Sequence, residues 1–392
     1  MQDVGHPRPA AAREAIRRLE LSKVREIANA GFGREDILRF WFGESDQATP
    51  GPVREAAIEA LAAGRTFYTH NHGLAPLREE VARYLGRLHG RAFDPDDVSI
   101  TSSGVSALML AMQAVLDPGD RVVAVTPVWP NLTEIPRILN AEVVRVGLEP
   151  GQGRWRLDLD RLIDAIRPET RLVLINSPGN PTGWTLAADQ RTPLLEHCRR
   201  LGVWLLCDDV YERLYYGEGA SAPSILPLAE PGDRVIGANS FSKAWLMTGW
   251  RLGWLVTPKT LTPDLGKLIE YNTSCAPDFV QAAGLVAIRD GEPGVAALRA
   301  DLRSKRDRLA TALAEHRRVQ ASVPDGGMYV FFRIEGEADS MALAKRLIAE
   351  AGLGFAPGAA FGPEGEGWLR WCFAARDEAL DEGVRRLLGW LG

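Results

Sequence analysis

A lysine with two hydroxyl residues before it and an arginine after it forms the chemically most suggestive grouping in the chain. The run Ser240-Phe241-Ser242-Lys243 is followed by Arg251 eight residues further on. A lysine amine can form a Schiff base with an aldehyde, which an arginine cannot do. Two hydroxyls and a bidentate guanidinium suit a phosphate group. Together they describe a seat for pyridoxal 5'-phosphate (PLP), although a lysine after a strand is more often a solvated surface residue.

An aspartate closes an apolar candidate strand in the middle of the chain. Asp208 follows Val203–Cys207, and an acid at the end of a buried strand is costly unless it is paired. A protonated pyridine nitrogen would pair with it through a charge-assisted hydrogen bond of about 1.5–3 kcal/mol. Such a bond keeps the ring cationic and therefore electron-accepting. The alternative is that Asp208 caps a following helix, which the adjacent Asp209 would do as well.

Three further loops carry candidates for the same ligand. Ser103-Gly104-Val105 ends a strand and opens a helix, so its amides suit an anion, unless the loop is a plain helix cap. Tyr211 and Asn180 are candidates for the phenolic oxygen of the ring, with a turn residue as the alternative for Asn180. Trp129 lies just past a strand end, where an indole either stacks on the ring or packs in the core.

Composition narrows the class of protein. The 392 residues are 46% hydrophobic and 25% charged, which is typical of a globular protein of two domains. A net charge of −5 with scattered arginines argues against nucleic-acid binding. We find neither an apolar stretch of membrane-spanning length nor the apolar core of a signal peptide.

The cysteines and histidines predict a reduced, metal-free protein. The four cysteines lack CxxC spacing and lie among apolar residues, which favours free thiols in a cytoplasmic protein: Cys198, Cys207, Cys275 and Cys372. The pair His70-x-His72 has no accompanying cysteine or carboxylate cluster, so we expect no metal site.

Short apolar runs alternate with helical spacing through the middle of the chain. These runs are rich in Val, Ile and Leu and do not alternate with polar residues, as expected for strands buried on both faces. The pattern predicts an α/β fold with a mainly parallel, doubly wound sheet, whose ligands bind beyond the carboxyl ends of the strands. The predicted strands are Val98–Thr101, Arg121–Thr126, Glu142–Val146, Arg171–Asn176, Val203–Asp208, Arg234–Ser240 and Gly253–Thr257.

After about residue 290 the pattern becomes that of a smaller α+β unit, which begins with a long helix over Val295–His316. At the other end of the chain, Pro9–Ala30 reads as a helix and Ile37–Phe42 as a strand-like run. We expect this N-terminal segment to join the smaller unit. The predicted domains are therefore 47–290, the large one, and 1–46 plus 291–392, the small one.

Six motifs occur in a fixed order along the chain. They are Thr101-x-x-Gly-x-x-Ala107, Pro127-x-Trp-Pro130, Asn176-Ser-Pro-Gly-Asn-Pro-Thr-Gly183, Asp208-x-x-Tyr211, Ser240-Phe-Ser-Lys243-x(7)-Arg251 and Arg370-Trp-Cys-Phe373. With these motifs the chain resembles the class I/II aminotransferases, PLP enzymes with the aspartate aminotransferase fold (fold type I), and the resemblance covers nearly the whole chain.

The resemblance implies a ping-pong transfer of an amino group between an L-amino acid and a 2-oxo acid. Lys243 would hold PLP as an internal aldimine and then move the Cα proton, with Asp208 and Tyr211 as further catalytic residues. Arg370 would bind the substrate carboxylate, helped by Asn180 and the Gly43 backbone. The implied cofactor-binding set is Ser103, Gly104, Val105, Trp129, Asn180, Asp208, Tyr211, Ser240, Ser242, Lys243, Arg251 and Tyr68.

Tyr68 matches the tyrosine that reaches a phosphate in a neighbouring subunit, so the resemblance also implies a homodimer with shared sites. Two positions depart from the family pattern. Ser103 stands where many relatives carry glycine. Val105 stands where some dicarboxylate-specific members carry a lysine, which argues against strict specificity for aspartate.

Two other functions share parts of this pattern. A PLP-dependent lyase or decarboxylase of the same fold would keep the Lys243, Asp208 and Arg370 constellation. A PLP-sensing regulatory domain would need a DNA-binding module, and residues 1–46 show no basic helix-turn-helix pattern.

Overall fold

The computed structural model describes residues 11–392. Its helices are α1 (Glu14–Arg17), α2 (Lys23–Gly31), α3 (Gly51–Ala62), α4 (Ala75–His89), α5 (Gly104–Val115), α6 (Asn131–Ile138), α7 (Leu159–Ala165), α8 (Ala188–Leu201), α9 (Thr262–Glu270), α10 (Asp278–Asp290), α11 (Glu292–Ala314), α12 (Ser340–Ala351) and α13 (Asp377–Leu391). Its strands are β1 (Leu38–Arg39), β2 (Val98–Thr101), β3 (Arg121–Thr126), β4 (Glu142–Gly147), β5 (Glu149–Pro150), β6 (Trp155–Arg156), β7 (Thr170–Asn176), β8 (Trp204–Asp208), β9 (Val235–Ser240), β10 (Gly253–Val256), β11 (Val319–Ala321), β12 (Tyr329–Ile334), β13 (Leu353–Gly354), β14 (Ala356–Pro357) and β15 (Trp368–Cys372).

The central sheet has seven strands in the order β2-β10-β9-β8-β7-β3-β4. Its pairs are parallel except those of β10, which runs antiparallel to both β2 and β9. Alternate residues of one strand belong to different cores: Val123 packs on one side and Val122 and Ala124 on the other. Both faces are thus buried by helices, which confirms the predicted mainly parallel, doubly wound sheet.

The smaller unit has a four-stranded antiparallel sheet in the order β11-β12-β15-β14. Its core draws on both ends of the chain, because Ile27 and Trp41 are buried in one cluster with Trp371 and Leu387. Strand β1 also pairs in parallel with β13. The N-terminal segment therefore packs where we expected it, while the boundaries 47–290 and 1–46 plus 291–392 stay predictions.

The helix predicted over Pro9–Ala30 is wrong as a single element. Residues 9 and 10 lie outside the described part, and the remainder forms the separate helices α1 and α2. The break comes at Ser22, whose extended backbone and side-chain oxygen, accepting from the amide of Arg25 at 3.2 Å, cap α2. Helix α1 already ends at Arg17, and the Ser22 cap then starts α2 as a separate helix, so this local hydrogen bond overrides the continuous helical spacing.

The turn from β2 into α5 holds Ser103 in a backbone conformation that favours glycine, with φ 148° and ψ 166°. Such a conformation costs a residue with a side chain about 1–3 kcal/mol. The Ser103 hydroxyl offsets part of this cost by accepting from the amide of Ser106 at 3.0 Å, which caps α5. The serine at this departure from the family pattern is therefore strained but serves as a cap.

Replacing Ser103 separates strain from capping. Ser103→Gly relieves the strain and loses only a few tenths of a kcal/mol of capping, so the free energy of unfolding should rise by about 1 kcal/mol. Ser103→Ala keeps the strain and loses the cap, so it should fall by about 1 kcal/mol. Denaturant unfolding of the cofactor-free protein measures both. A glycine variant no more stable than the alanine variant would contradict this account.

Candidate active site

A cavity of about 880 Å³ opens beyond the carboxyl ends of the central strands, as expected for an open α/β sheet. Strands β7, β8 and β9 end beside it, and β2 leads into it through the start of α5. Most of the predicted site residues line its walls, namely Gly43, Gly104, Val105, Trp129, Asn180, Asp208, Tyr211, Ser240, Ser242, Lys243, Arg251 and Arg370. Ser103 and Tyr68 do not.

Lys243 follows β9 in the loop that leads to β10. Because β10 runs antiparallel to β9, this loop stays at the carboxyl end of β9, next to the cavity. The amine donates a hydrogen bond to the carbonyl of Gly43. Burial lowers the pKa of Lys243 to about 8, which the neighbouring Cys372 opposes and the Arg370 charge reinforces. Near neutral pH more of this amine is therefore uncharged and nucleophilic than of an exposed lysine.

Asp208 ends β8 with its carboxyl group buried. Burial raises the pKa of Asp208 to about 7, partly opposed by a hydrogen bond and by the Lys243 charge. That hydrogen bond comes from the amide of Val210 and is long, at 3.4 Å. Within residues 11–392 the carboxyl has no ion-pair partner. No helix follows the strand, so the capping alternative for Asp208 is wrong.

The hydroxyls of Ser240 and Ser242 lie together beside the first turn of α5. Ser240 Oγ donates to Ser242 Oγ at 2.9 Å. A Cβ on Gly104 would lie 3.0 Å from the Cβ of Ser240, so this close approach requires glycine. The free amides at the start of α5 therefore reach the same cavity as the two hydroxyls.

Arg251 also lines this part of the cavity from the left-handed conformation, with φ 55°. It is exposed, and its Nη1 donates to the carbonyl of Thr248 at 2.7 Å. The Ser103 hydroxyl, in contrast, accepts a hydrogen bond from the Ser106 amide and thereby caps α5. The structure thus assembles hydroxyls, amides and one guanidinium that suit an anion, without the Ser103 side chain.

Arg370 reaches the cavity from β15 of the smaller unit and is 3% exposed. Its Nη1 donates to Asn180 Oδ1 at 2.8 Å, and its Nη2 donates to the carbonyl of Trp41. The Arg370 Nε has no hydrogen-bond partner in the described part of the chain. A buried guanidinium without a carboxylate beside it is a candidate site for a substrate carboxylate.

Trp129 follows β3, and the sequence left open whether its indole stacks on a ligand ring or packs in the core. Its indole is partly buried against the core below the sheet, and it also lines the cavity. Core packing and a wall position are therefore compatible for this residue.

Sequence reasoning missed Tyr329 and Asn176. Tyr329 is fully buried, lines the cavity and bonds to the hydroxyl of Tyr211 at 2.6 Å. Asn176 organises the loop after β7, because its Oδ1 accepts from the amide of Asn180 at 2.8 Å and its Nδ2 donates to the Asp208 carbonyl. Tyr329 lies two residues before Phe331, which pairs with Arg370, and residues two apart in a strand share a face. The pairing register of β12 with β15 is therefore the feature that identifies Tyr329 as a neighbour of Arg370.

Tyr68 lies outside the cavity and is 86% exposed. The neighbouring Phe67 and the more distant Tyr271 are also exposed aromatic residues, at 81% and 90%. The predicted reach of Tyr68 into another subunit stays a prediction.

His72 is buried and bonds to the Ser99 hydroxyl at 2.7 Å, and burial lowers the pKa of His72 to about 4. Residues 11–392 hold no cluster of three side chains of the metal-binding types. None of the helices in that range is both long and apolar enough to cross a membrane.

Comparison with known proteins identifies the family. The sequence pattern described as "Aminotransferase class I and II" matches residues 35–387. The chain is 32% identical to an aspartate aminotransferase of Pyrococcus horikoshii over 95% of each chain. It is 34% identical to an arginine–pyruvate transaminase of Pseudomonas aeruginosa over 90% of this chain and 89% of that one.

Solved structures agree with this grouping. The aspartate aminotransferase of Thermus thermophilus superposes with a TM-score of 0.89 at 30% identity, covering 96% of this chain and 98% of that one. An aromatic aminotransferase of Pyrococcus horikoshii gives 0.86 at 30% identity, with 93% and 98% covered. The shared fold is fold type I. The chain therefore belongs to the class I and II aminotransferase family and is an aminotransferase.

Proposed function

We propose that the chain binds PLP in this cavity and transfers amino groups between an L-amino acid and a 2-oxo acid by a ping-pong mechanism. The observation that carries the proposal is that the buried carboxyl of Asp208, which forms no ion pair within residues 11–392, lies in the same cavity as Lys243 with its lowered pKa. When bound, PLP supplies an electron-accepting ring that stabilises negative charge at the substrate Cα.

The groups in the cavity fit PLP in chemistry and in position. Asp208 would pair with the protonated pyridine nitrogen, and this cation would stabilise the buried carboxylate. Tyr211 and Asn180 would bind the phenolic oxygen, and Trp129 would stack on the ring. The phosphate would lie among the Gly104 and Val105 amides, Ser240, Ser242 and Arg251. Ser103 is left out, because its hydroxyl already caps α5.

Lys243 and Arg370 would both act on the substrate, one on its Cα proton and the other on its carboxylate. A lysine whose pKa is about 8 exchanges a proton readily near neutral pH, so its amine suits removal and return of the Cα proton. Arg370 would bind the α-carboxylate, with Asn180 and the Gly43 backbone beside it. Asn180 already holds Arg370 Nη1, and the Gly43 carbonyl already holds the Lys243 amine, so both partners are oriented before substrate arrives.

We also propose a homodimer in which Tyr68 reaches the phosphate site of the partner. Exposed apolar side chains on α3 and on two loops support it, because exposed apolar clusters mark protein interfaces: Ile58, Leu61, Phe67, Tyr68 and Tyr271. A cytoplasmic location is proposed with it. The four cysteines are free thiols, as expected for a reducing compartment.

The competing function is a PLP lyase or decarboxylase, and a single-substrate experiment separates the two. The PLP-loaded enzyme is mixed with one amino acid at a time and without any 2-oxo acid. An aminotransferase should release one equivalent of the matching 2-oxo acid per site and then stop. Continued turnover without an acceptor would support the lyase. The panel should include aspartate, arginine and aromatic donors, which the names of relatives suggest, and Val105 leads us to expect no strict preference for aspartate.

The lowered pKa of Lys243 predicts its reactivity in the PLP-free protein. Only the neutral amine reacts with an aldehyde, so reductive methylation of Lys243 should reach half of its maximal rate near pH 8 and level off roughly one pH unit above that. Lys259 serves as the reference, because it is exposed and its ion pair with Asp94 raises its pKa. Its labelling should still be rising above pH 9. Peptide mass spectrometry measures both, and parallel profiles would contradict the lowered pKa.

Arg370→Lys tests the carboxylate site. A lysine keeps the charge but loses the planar fork, so every amino acid and 2-oxo acid should bind more weakly by roughly 1.5–3 kcal/mol. The absorbance of bound PLP should stay intact, because Arg251 and not Arg370 is assigned to the phosphate. The loss should be similar across donors, since they share the α-carboxylate. A loss confined to acidic donors would mean that Arg370 binds a side chain.

A further inference from the structure

We propose that Tyr329 is a positioning residue that joins the cofactor-binding and carboxylate-binding halves of the site. In this role the Tyr329 hydroxyl donates a hydrogen bond to the Tyr211 oxygen and so directs the Tyr211 proton towards the phenolic oxygen of PLP. The Tyr329 ring packs against the Arg370 guanidinium. The proposal rests on the proposed function, because Tyr211 and Arg370 have these tasks only if PLP and an amino acid bind here.

The antiparallel pairing of β12 with β15 places Tyr329 on the site face of the small sheet. Tyr329 pairs with Cys372, and Phe331 pairs with Arg370. Residues two apart in a strand and direct cross-strand partners share a face, so all four side chains lie on one side. The intervening Val330 points to the opposite face of the sheet, because successive side chains of a strand alternate between faces.

The hydroxyl of Tyr329 has one strong partner. It lies 2.6 Å from the Tyr211 hydroxyl, with the two rings 5.7 Å apart and nearly perpendicular. Tyr211 carries a single proton. If Tyr211 donates that proton to the phenolic oxygen of PLP, the proton between the two tyrosines must come from Tyr329. Donation by Tyr329 strengthens donation by Tyr211, because hydrogen bonds in a chain polarise one another.

The ring of Tyr329 contacts Arg370, the residue proposed to bind the substrate carboxylate. The Arg370 Cζ lies 4.4 Å from its centroid, which is within cation–π distance. Phe361 provides a second aromatic contact with Arg370, at 4.9 Å. Arg370 is thus held by aromatic faces and by two hydrogen bonds, to Asn180 and to the Trp41 carbonyl.

The surrounding backbone leaves little room for Tyr329 to move. A Cβ on Gly43 would lie 1.9 Å from the Tyr329 hydroxyl, so the glycine backbone packs directly against the phenol. The same Gly43 accepts a hydrogen bond from Lys243. Tyr329 therefore contacts the segment that holds Lys243 as well as Tyr211 and Arg370.

The charged and titratable groups that act on the tyrosine pair come from several elements. They are Asp208, Glu44, Arg370 and Cys372, together with Lys243, whose amine lies 5.9 Å from the centroid of the Tyr211 ring. Burial raises the pKa of Tyr329 to about 12 and that of Tyr211 well above its usual value. Both phenols are therefore protonated throughout the working pH range, and each has a proton to donate.

The experiment compares Tyr329→Phe, Tyr211→Phe and the double variant as PLP-loaded enzymes. The first readout is the pH midpoint of the absorbance change of bound PLP. Loss of a donor to the phenolic oxygen makes that oxygen more basic, so Tyr211→Phe should raise the midpoint. Tyr329→Phe should raise it by a smaller amount, roughly 0.1–0.7 pH unit, because a neighbouring hydrogen bond adds about 10–30% to a charged one. The double variant should match Tyr211→Phe, since Tyr329 acts through Tyr211.

The second readout is the dissociation constant of propionate, which has a carboxylate and no amino group. Tyr329→Phe keeps the aromatic face and should leave propionate binding unchanged. Tyr329→Leu removes that face and should weaken propionate binding roughly 2- to 30-fold. Tyr216→Phe is the matched control, because Tyr216 is a buried tyrosine of the same core whose hydroxyl donates to the Gly327 carbonyl, and neither readout should change.

Each outcome has one meaning. An unchanged midpoint in Tyr329→Phe, or a double variant that shifts beyond Tyr211→Phe, overturns the proposal. An unchanged midpoint in Tyr211→Phe itself overturns the assignment of Tyr211 in the proposed function instead. Circular dichroism checks the fold of Tyr329→Leu, and if that variant does not fold, the Tyr329→Phe readouts decide alone.

Discussion

The buried carboxyl of Asp208 is the constraint around which the site is arranged. It ends β8, the middle strand of the seven-stranded sheet, where strands on both sides and helices on both faces exclude water. A carboxylate in such a place is costly without a cation, and the rise of its pKa to about 7 expresses that cost. A protonated pyridine ring would remove it. Burial makes the charged form of Asp208 unfavourable in the cofactor-free protein. The same burial therefore favours binding of a cationic aromatic ligand at this carboxyl.

The remaining groups depend on how the two units meet over that strand. Arg370 comes from the small sheet yet bonds to Asn180 of the large one, and Lys243 comes from the large unit yet bonds to the Gly43 carbonyl near the N-terminal segment. Each unit thus orients a reactive side chain of the other. A change that shifts one unit would disturb the carboxylate site and the lysine together, even though neither side chain is altered.

Much of this arrangement could be predicted because it depends on local sequence patterns, such as apolar runs between turn residues. β2 and β3 match the predicted runs residue for residue, since an apolar run between turn signals has few alternatives. Most cavity residues of the motifs follow a strand end, whereas Arg370 lies within β15 and was found through its motif alone. The antiparallel direction of β10 and the break between α1 and α2 were not predicted. Pairing direction depends on tertiary contacts that spacing does not encode, whereas the cap at Ser22 is a local hydrogen bond within a segment of continuous helical spacing.

Tyr329 shows where sequence reasoning runs out within the site. Nothing near it resembles a reactive motif, and its role follows from facing Arg370 and Tyr211, which are distant in sequence. Such residues are found through strand register rather than through spacing along the chain. The helix cap at Ser103 differs in kind, because the departure from glycine was visible in the sequence while the strained φ of 148° required the structure.

The cavity wall extends well beyond the groups proposed to bind PLP. Most of those groups lie at the strand ends, whereas much of the remaining wall comes from α2, β4, α6 and the segment 359–363. Arg145 in that wall is already held by Glu364, with Nη2–Oε2 at 2.7 Å and Nε–Oε1 at 3.0 Å, and Val105 offers no charge. Two further basic residues of the wall, Lys23 and Arg137, are paired with Glu20 and Glu134, whereas Arg25 lies over the Phe42 ring. A carboxylate on a donor side chain would compete with those glutamates or bind Arg25, and no motif includes any of these basic residues. The motifs therefore predict the reaction and not the amino donor.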